Sequence, residues 1–343
     1  MFNGKTVLVT GGTGSFGKKF IRIVLERYSP KKLIVLSRDE LKQFEMQQCI
    51  TLEHMPVMRF FLGDVRDKDR LMMAFRDVDY VIHAAALKQV PAAEYNPQEF
   101  IKTNVLGAMN IIEAALFCKV KKVLALSTDK ACNPVNLYGA TKLCSDKLFV
   151  AGNSYRRVDD TIFSVVRYGN VMGSRGSVVP FFDERKHTGV LPITDPRMTR
   201  FWITLAQGVE LVLKSLEMSQ GSEIFIPKIP TITIPDLATA ICPQCEQRVV
   251  GIRPGEKIHE VLVNEEEARN AVEFNDMYVV QPNPGRRAAL AQLGGRPCPE
   301  HFEYSSGDNQ QRLGVDDIRK MLADIREDYS IETSRWSSSR DPM

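Results

Sequence analysis

Tyr138 and Lys142 stand four residues apart, the spacing that puts two side chains on one face of a helix. A cation beside a phenol favours the phenolate and brings its pKa toward a range useful for proton transfer. Far upstream, Thr10-Gly11-Gly12-Thr13-Gly14-Ser15-Phe16-Gly17 places glycines at 11, 14 and 17. Glycine permits positive φ and close backbone approach. A helix that opens behind such a loop offers free N–H groups to a pyrophosphate. Ser37-Arg38-Asp39 closes the next strand-like run. An acid at that point binds a ribose 2′-hydroxyl, whereas Arg38 after Ser37 suits a 2′-phosphate, so the expected cofactor is NADP, with Asp39 keeping NAD open. Asp64-Val65 follows the third run. There the carboxylate either reaches an adenine amino group or caps a helix.

These groups need elements to hold them. Val7 to Thr10 is a β-rich run, and Phe16, Phe20, Ile23 and Val24 then recur at helical spacing. Further strands are expected at 33–36, 59–62, 80–83, 122–127 and 163–167. Helices are expected from Asp67, from Asn96-Pro97 to about Phe117, and from Tyr138 to about Val150. Strands alternating with helices imply a parallel sheet covered on both faces, an α/β doubly wound Rossmann-like fold. Glycine and proline become denser after about residue 170. We expect a dinucleotide domain over 1–170, with 201–227 returning to it, and a smaller lid from 171–200 and 228–330. Residues 282–312 read as a long loop and 331–343 as a disordered tail.

Composition narrows the class. At about 150 residues per domain, 343 residues suggest about 2.3 domains. The net charge is +3, with 44% hydrophobic and 25% charged residues. That excludes a disordered chain and speaks against a nucleic-acid partner. No consecutive apolar run is long enough for a membrane span, and the N-terminus does not read as a signal peptide. The seven cysteines are odd in number and scattered, as expected of reduced thiols in a cytoplasmic protein. Cys242 and Cys245 have zinc-like spacing without a second pair, and no metal is expected.

The glycine loop together with Tyr138-Gly139-Ala140-Thr141-Lys142 resembles the extended short-chain dehydrogenase/reductases. The run Ser127-Thr128-Asp129-Lys130-Ala131-Cys132-Asn133-Pro134 sharpens the likeness. It resembles the inverting branch of nucleotide-sugar 4,6-dehydratases, with Lys130 where other branches carry Glu. The likeness covers most of residues 1–280. It implies UDP-N-acetylglucosamine as substrate, a place in pseudaminic acid and surface-glycan synthesis, and a homo-oligomer. The reaction it implies is an internal cycle: oxidation at sugar carbon 4, loss of water across carbons 5 and 6, reduction at carbon 6 and inversion at carbon 5. A retaining dehydratase, a 4-epimerase and a non-catalytic NADP-sensing module stay as alternatives.

The resemblance assigns the remaining residues. Tyr138 would act as base at the carbon 4 hydroxyl, aided by Thr128, with Lys142 on the nicotinamide ribose. Neutral Lys130 would take the carbon 5 proton and protonated Asp129 would help water leave; such a lysine needs a depressed pKa. Gly11, Thr13, Gly14, Ser15, Phe16 and Gly17 would line the pyrophosphate. Ser37, Arg38, Asp39, Lys42, Asp64 and Val65 would meet the adenosine half. Ala84, Ala85, Lys88 and Asn104 would line the cofactor's other side. For the substrate, the resemblance points to Lys88, Asn170, Arg175-Gly176-Ser177-Val178-Val179, Thr199, Arg253 and Glu256, with Arg253 clamping the diphosphate.

Overall fold

A computed structural model describes residues 1–155, 161–174 and 176–325. Arg175 and the expected tail at 331–343 lie outside the described residues. Six parallel strands alternate with helices in the first half: β1 (Thr6–Thr10), α1 (Ser15–Arg27), β2 (Lys32–Ser37), α2 (Glu40–Gln47), β3 (Met58–Leu62), α3 (Lys68–Ala74) and β4 (Tyr80–His83). After α4 (Val90–Tyr95), α5 (Pro97–Phe100) and α6 (Gly107–Phe117) come β5 (Lys122–Thr128), α7 (Leu137–Gly152) and β6 (Ile162–Tyr168). The spatial order is β3-β2-β1-β4-β5-β6, with 224–227 parallel beside β6. The order reverses between β1 and β4, so their C-terminal ends open a crevice, the usual ligand position in such sheets. The strands are apolar runs because both faces are covered: Val7, Leu8, Val9, Val81, Ile82 and Leu124 are almost fully buried.

The expected helix from Asn96 to Phe117 is continuous but not uniform. A π-helical turn at Ile101–Leu106 joins α5 to α6. Asn96 precedes Pro97 as expected, yet its side chain donates to the Ala92 carbonyl instead of capping an amide. By length and composition this helix could cross a membrane, but half of its apolar window is buried. Gly107, Ala108, Ile111 and Ala115 face the protein, as a sheet-covering helix requires.

Three expectations need correction. Residues 271–273, 277–280 and 296–297 form antiparallel strands that extend the main sheet. Leu262, Val263, Ala271, Val279 and Leu290 join its core, so much of 262–304 belongs to the large domain. The loop expected at 282–312 contains a helix, Pro284–Gln292, capped by Asn283. The lid is built on a second core, including Phe182, Leu191, Trp202, Leu237 and Ile318. There Cys242 and Cys245 form a disulfide instead of standing as thiols, because the turn after the helix Ile234–Ile241 brings their Cα atoms to 5.4 Å. Cys118, Cys132, Cys144 and Cys298 are free thiols.

Candidate active site

The glycine cradle is built as the spacing predicts. Gly11 has φ of +65°, and a Cβ there would stand 2.9 Å from the Ala85 backbone. A Cβ on Gly17 would collide with the Gly12 carbonyl. No side chain caps α1 and its first turn carries no acid. Its opening amides, from Ser15 onward, therefore face the crevice as anion donors. Bare backbone approach and an uncapped helix end fit a dinucleotide pyrophosphate.

At the adenosine end, Ser37 is buried and its hydroxyl accepts from Gln43 Nε2 at 3.0 Å. Asp39 caps α2, accepting from the Lys42 amide at 3.0 Å and pairing with Lys42 Nζ at 2.6 Å. Asp64 is gripped by Arg66 at 2.7 Å, with Arg38 at 3.6 Å. Burial would raise the Asp64 pKa, but these guanidinium groups hold it below its ordinary value. Val65 packs beneath Gly107. Asn104 is not at the ligand surface: it accepts from the Leu87 amide and donates to the Leu87 carbonyl, both at 2.9 Å, and bonds Thr141. It thus fastens the 84–88 segment to α7. Lys88 is exposed at the rim, and partial desolvation lowers its pKa.

The groups expected to carry the chemistry converge where β5 ends. Thr128 donates to Asp129 Oδ1 at 2.9 Å. Lys130 Nζ lies 3.0 Å from the same oxygen and 3.2 Å from Glu260 Oε1. Asp129 is fully buried, and its Oδ2 has no hydrogen-bond partner among the described residues. The neighbouring helix is held close by glycine. A Cβ on Gly139 would strike the Lys130 carbonyl, so α7 presents Tyr138 directly against this turn. Asn136 caps α7 through the Gly139 amide at 2.8 Å and donates to the Gly255 carbonyl at 2.7 Å. The 253–256 turn is thereby tied to the site. Arg253 is exposed and pairs with Glu256 at 3.9 Å.

The electrostatics differ from the sequence expectation in two ways. Burial pushes the Tyr138 phenol up to about 12, against the Lys130 ammonium and a hydrogen bond with Thr128. The cation that pulls it back down is therefore Lys130. Lys142 is fully buried, its pKa lowered by desolvation, and Nζ donates to the Leu126 carbonyl at 2.8 Å. Second, Lys130 is not poised as a neutral amine. Desolvation disfavours its charge, but the Asp129 and Glu260 carboxylates outweigh it, and the pKa is raised.

On the lid side, Gly176 has φ of +73° and lies against Gln89. Asn170 Oδ1 and the Ser177 hydroxyl are buried without a hydrogen-bond partner among the described residues. Val178 and Val179 open the helix that follows, and Val179 is buried. Thr199 is buried. Its hydroxyl lies 2.8 Å from His259 Nδ1 and from Ser306 Oγ, deep in the structure. Sequence reasoning missed Glu260, which has no local motif and sits 130 positions from Lys130 in the chain.

His83 supplies a pH prediction. Its ring lies 2.8 Å from Thr10 Oγ1, and burial, with Lys142 nearby, lowers its pKa to about 3. The folded protein keeps His83 neutral while the unfolded chain protonates it near its ordinary value of about 6.5. Its contribution is full above that value and is lost as pH falls toward 3. Between pH 7 and pH 5 it should remove about 2 kcal/mol of stability. Denaturant midpoints should show this loss in the wild type and not in His83→Gln.

Comparison with known proteins agrees with this geometry. Residues 7–282 match a family described as polysaccharide biosynthesis protein. A UDP-N-acetylglucosamine 4,6-dehydratase (inverting) of Campylobacter jejuni is 54% identical over 320 residues, covering 91% of this chain and 95% of the relative. A UDP-glucose 4-epimerase of Rickettsia bellii is 41% identical, covering 95% of this chain and 97% of its own. The X-ray structure of Pen from Bacillus thuringiensis superposes with a TM-score of 0.85 at 34% identity, over 95% of this chain and 99% of that one. A dTDP-glucose 4,6-dehydratase from Streptomyces venezuelae, solved with NAD bound, shares the fold, with a TM-score of 0.66 at 23% identity over 74% and 86% of the two chains. At such identity over nearly its whole length, the chain belongs to the polysaccharide biosynthesis protein family, within the extended short-chain dehydrogenase/reductases.

Proposed function

We propose that the protein is an inverting UDP-N-acetylglucosamine 4,6-dehydratase that holds NADP. The observation that carries this reading is the buried Asp129–Lys130 ion pair beside Tyr138. A 4-epimerase only oxidises and reduces carbon 4, so it has no step for such a pair. A bound nicotinamide dinucleotide supplies a reversible hydride acceptor. Everything else falls to the chain's own side chains.

Tyr138 takes the carbon 4 hydroxyl proton, with Thr128 bonded to its oxygen. Elimination needs an amine base and a carboxylic acid. Lys130 and Asp129 supply both by sharing one proton across their 3.0 Å contact. Moving that proton from Nζ to Oδ1 leaves a neutral amine and a protonated acid. The amine takes the carbon 5 proton, the acid donates to the departing carbon 6 hydroxyl, and the resting ion pair returns. Asp129 Oδ2, buried without a hydrogen-bond partner among the described residues, is the carboxylate oxygen left for the substrate.

NADP is favoured because Asp39 is committed to α2 and to Lys42, which leaves half-exposed Arg38 as the cation suited to a 2′-phosphate. Arg253 and Lys88 are the cations for the UDP diphosphate, and Asn170, Gly176, Ser177, Val178 and Val179 line the sugar side. The exposed Ile101, Leu106 and Met109 suit contact with a second copy of the chain. We place the reaction in the cytoplasm.

The test is incubation with UDP-N-acetylglucosamine in deuterium oxide, followed by NMR of the sugar. The expected product is a 4-keto-6-deoxy sugar with deuterium and inverted geometry at carbon 5. Interconversion at carbon 4 alone would overturn the reading in favour of an epimerase.

A further inference from the structure

Glu260 lies just before the strand Val261–Val263 and is almost fully buried. Its placement is over-determined. The Glu260 amide donates to Ser306 Oγ, and the Ser306 amide donates to the Glu260 carbonyl, both at 2.8 Å. Ser306 Oγ is in turn fixed by Thr199, which His259 holds from the other side. Three cations face the carboxylate: Lys130 at 3.2 Å, Lys257 at 3.8 Å and Arg200 at 3.9 Å. Lys257 and Arg200 are anchored elsewhere, to the Cys132 carbonyl and to the Thr199, Lys257 and Ile258 carbonyls. Among the described residues Lys130 has two anionic partners, Asp129 on its own turn and Glu260 from a distant segment.

We propose that Glu260 is a positioning residue for the carbon 5 proton transfer, holding Lys130 Nζ from a segment remote in the chain and setting when that amine loses its proton. The role rests on Lys130 acting at carbon 5. If Asp129 takes the shared proton, Glu260 stays anionic and accepts an N–H from the neutral amine. That fixes where the nitrogen lone pair points. The groups that face Lys130 are Asp129, Glu260, Arg200 and Tyr138. Of these only Asp129 and Glu260 favour its charge, so losing Glu260 shifts its titration down.

The experiment labels the whole protein competitively with acetic anhydride over a pH series and quantifies Lys130 acetylation by peptide mass spectrometry. Wild-type Lys130 should still be gaining reactivity at the alkaline end of the series. In Glu260→Gln the midpoint should fall by at least about one pH unit, the shift expected on losing one close charge partner. Glu260→Asp keeps the charge, draws it back by one methylene and should lie between. With substrate, Glu260→Gln should lose carbon 5 deuterium exchange by at least about tenfold with KM little changed, the pattern of a lost transition-state interaction. An unchanged labelling midpoint in Glu260→Gln, or in Glu260→Asp if Gln does not fold, overturns the proposal. Labelling requires no turnover, so a wrong sugar or reaction would leave that arm intact and fail only the exchange arm.

Discussion

Lys130→Arg should fold normally and produce a 4-keto sugar, yet exchange the carbon 5 proton about 10²–10⁴-fold more slowly than wild type. Arginine keeps a cation for Asp129 and Glu260, so neither buried carboxylate is stranded. Stranding one is the several-kcal/mol penalty that would confuse a Lys130→Ala result. A guanidinium, however, does not release its proton near neutral pH. It cannot become the amine that takes the carbon 5 proton, nor pass a proton to Asp129. The informative readout is the separation of two signals in one NMR time course. The carbon 4 ketone should appear while deuterium at carbon 5 and loss of the carbon 6 hydroxyl lag far behind. Wild-type exchange in Lys130→Arg would remove Lys130 from the chemistry.

Tyr138→Phe should stop the sequence one step earlier. The phenyl ring fills the same buried space, so the change deletes one hydroxyl and its bond with Thr128 while packing is kept. We expect no ketone and no carbon 5 exchange, with a rate loss of about 10²–10⁴ in the first step. Substrate affinity should change little. The pH dependence has a definite sign. Burial holds the phenol up at about 12 in the ligand-free chain, and the base is active only when deprotonated. Carbon 4 oxidation should therefore quicken as pH rises. Removing the Lys130 charge with Lys130→Met should push the rise to higher pH still.

The parts of this site that were legible in the sequence are those whose geometry is local. The glycine loop, the Tyr138–Lys142 spacing and the Thr128-Asp129-Lys130 turn each lie within a few residues. A helix or strand end then fixes their relative positions. The charge state of Lys130 was not legible, because half of its environment arrives from Glu260, on a segment pinned by Ser306. The surroundings of Thr199 were not legible for the same reason: its partners His259 and Ser306 lie 60 and 107 positions away. The strands at 271–273 and 296–297 are too short for a two-residue period to register. The helix at Pro284–Gln292 did carry a signal, Asn283 before Pro284, in the arrangement that opens helices. It was hidden by the surrounding glycines and prolines.

The contact between Gly139 and the Lys130 carbonyl has a consequence for how activities diverge on this scaffold. Backbone meets backbone there, so the distance from the oxidising base to the turn does not depend on which side chain occupies position 130. The chemistry of that side chain can be exchanged while the redox step stays in register. One interchangeable position on a rigid chassis is enough to redirect the fate of a common ketone. New outcomes can then arise by single substitutions without first losing the reaction they build on.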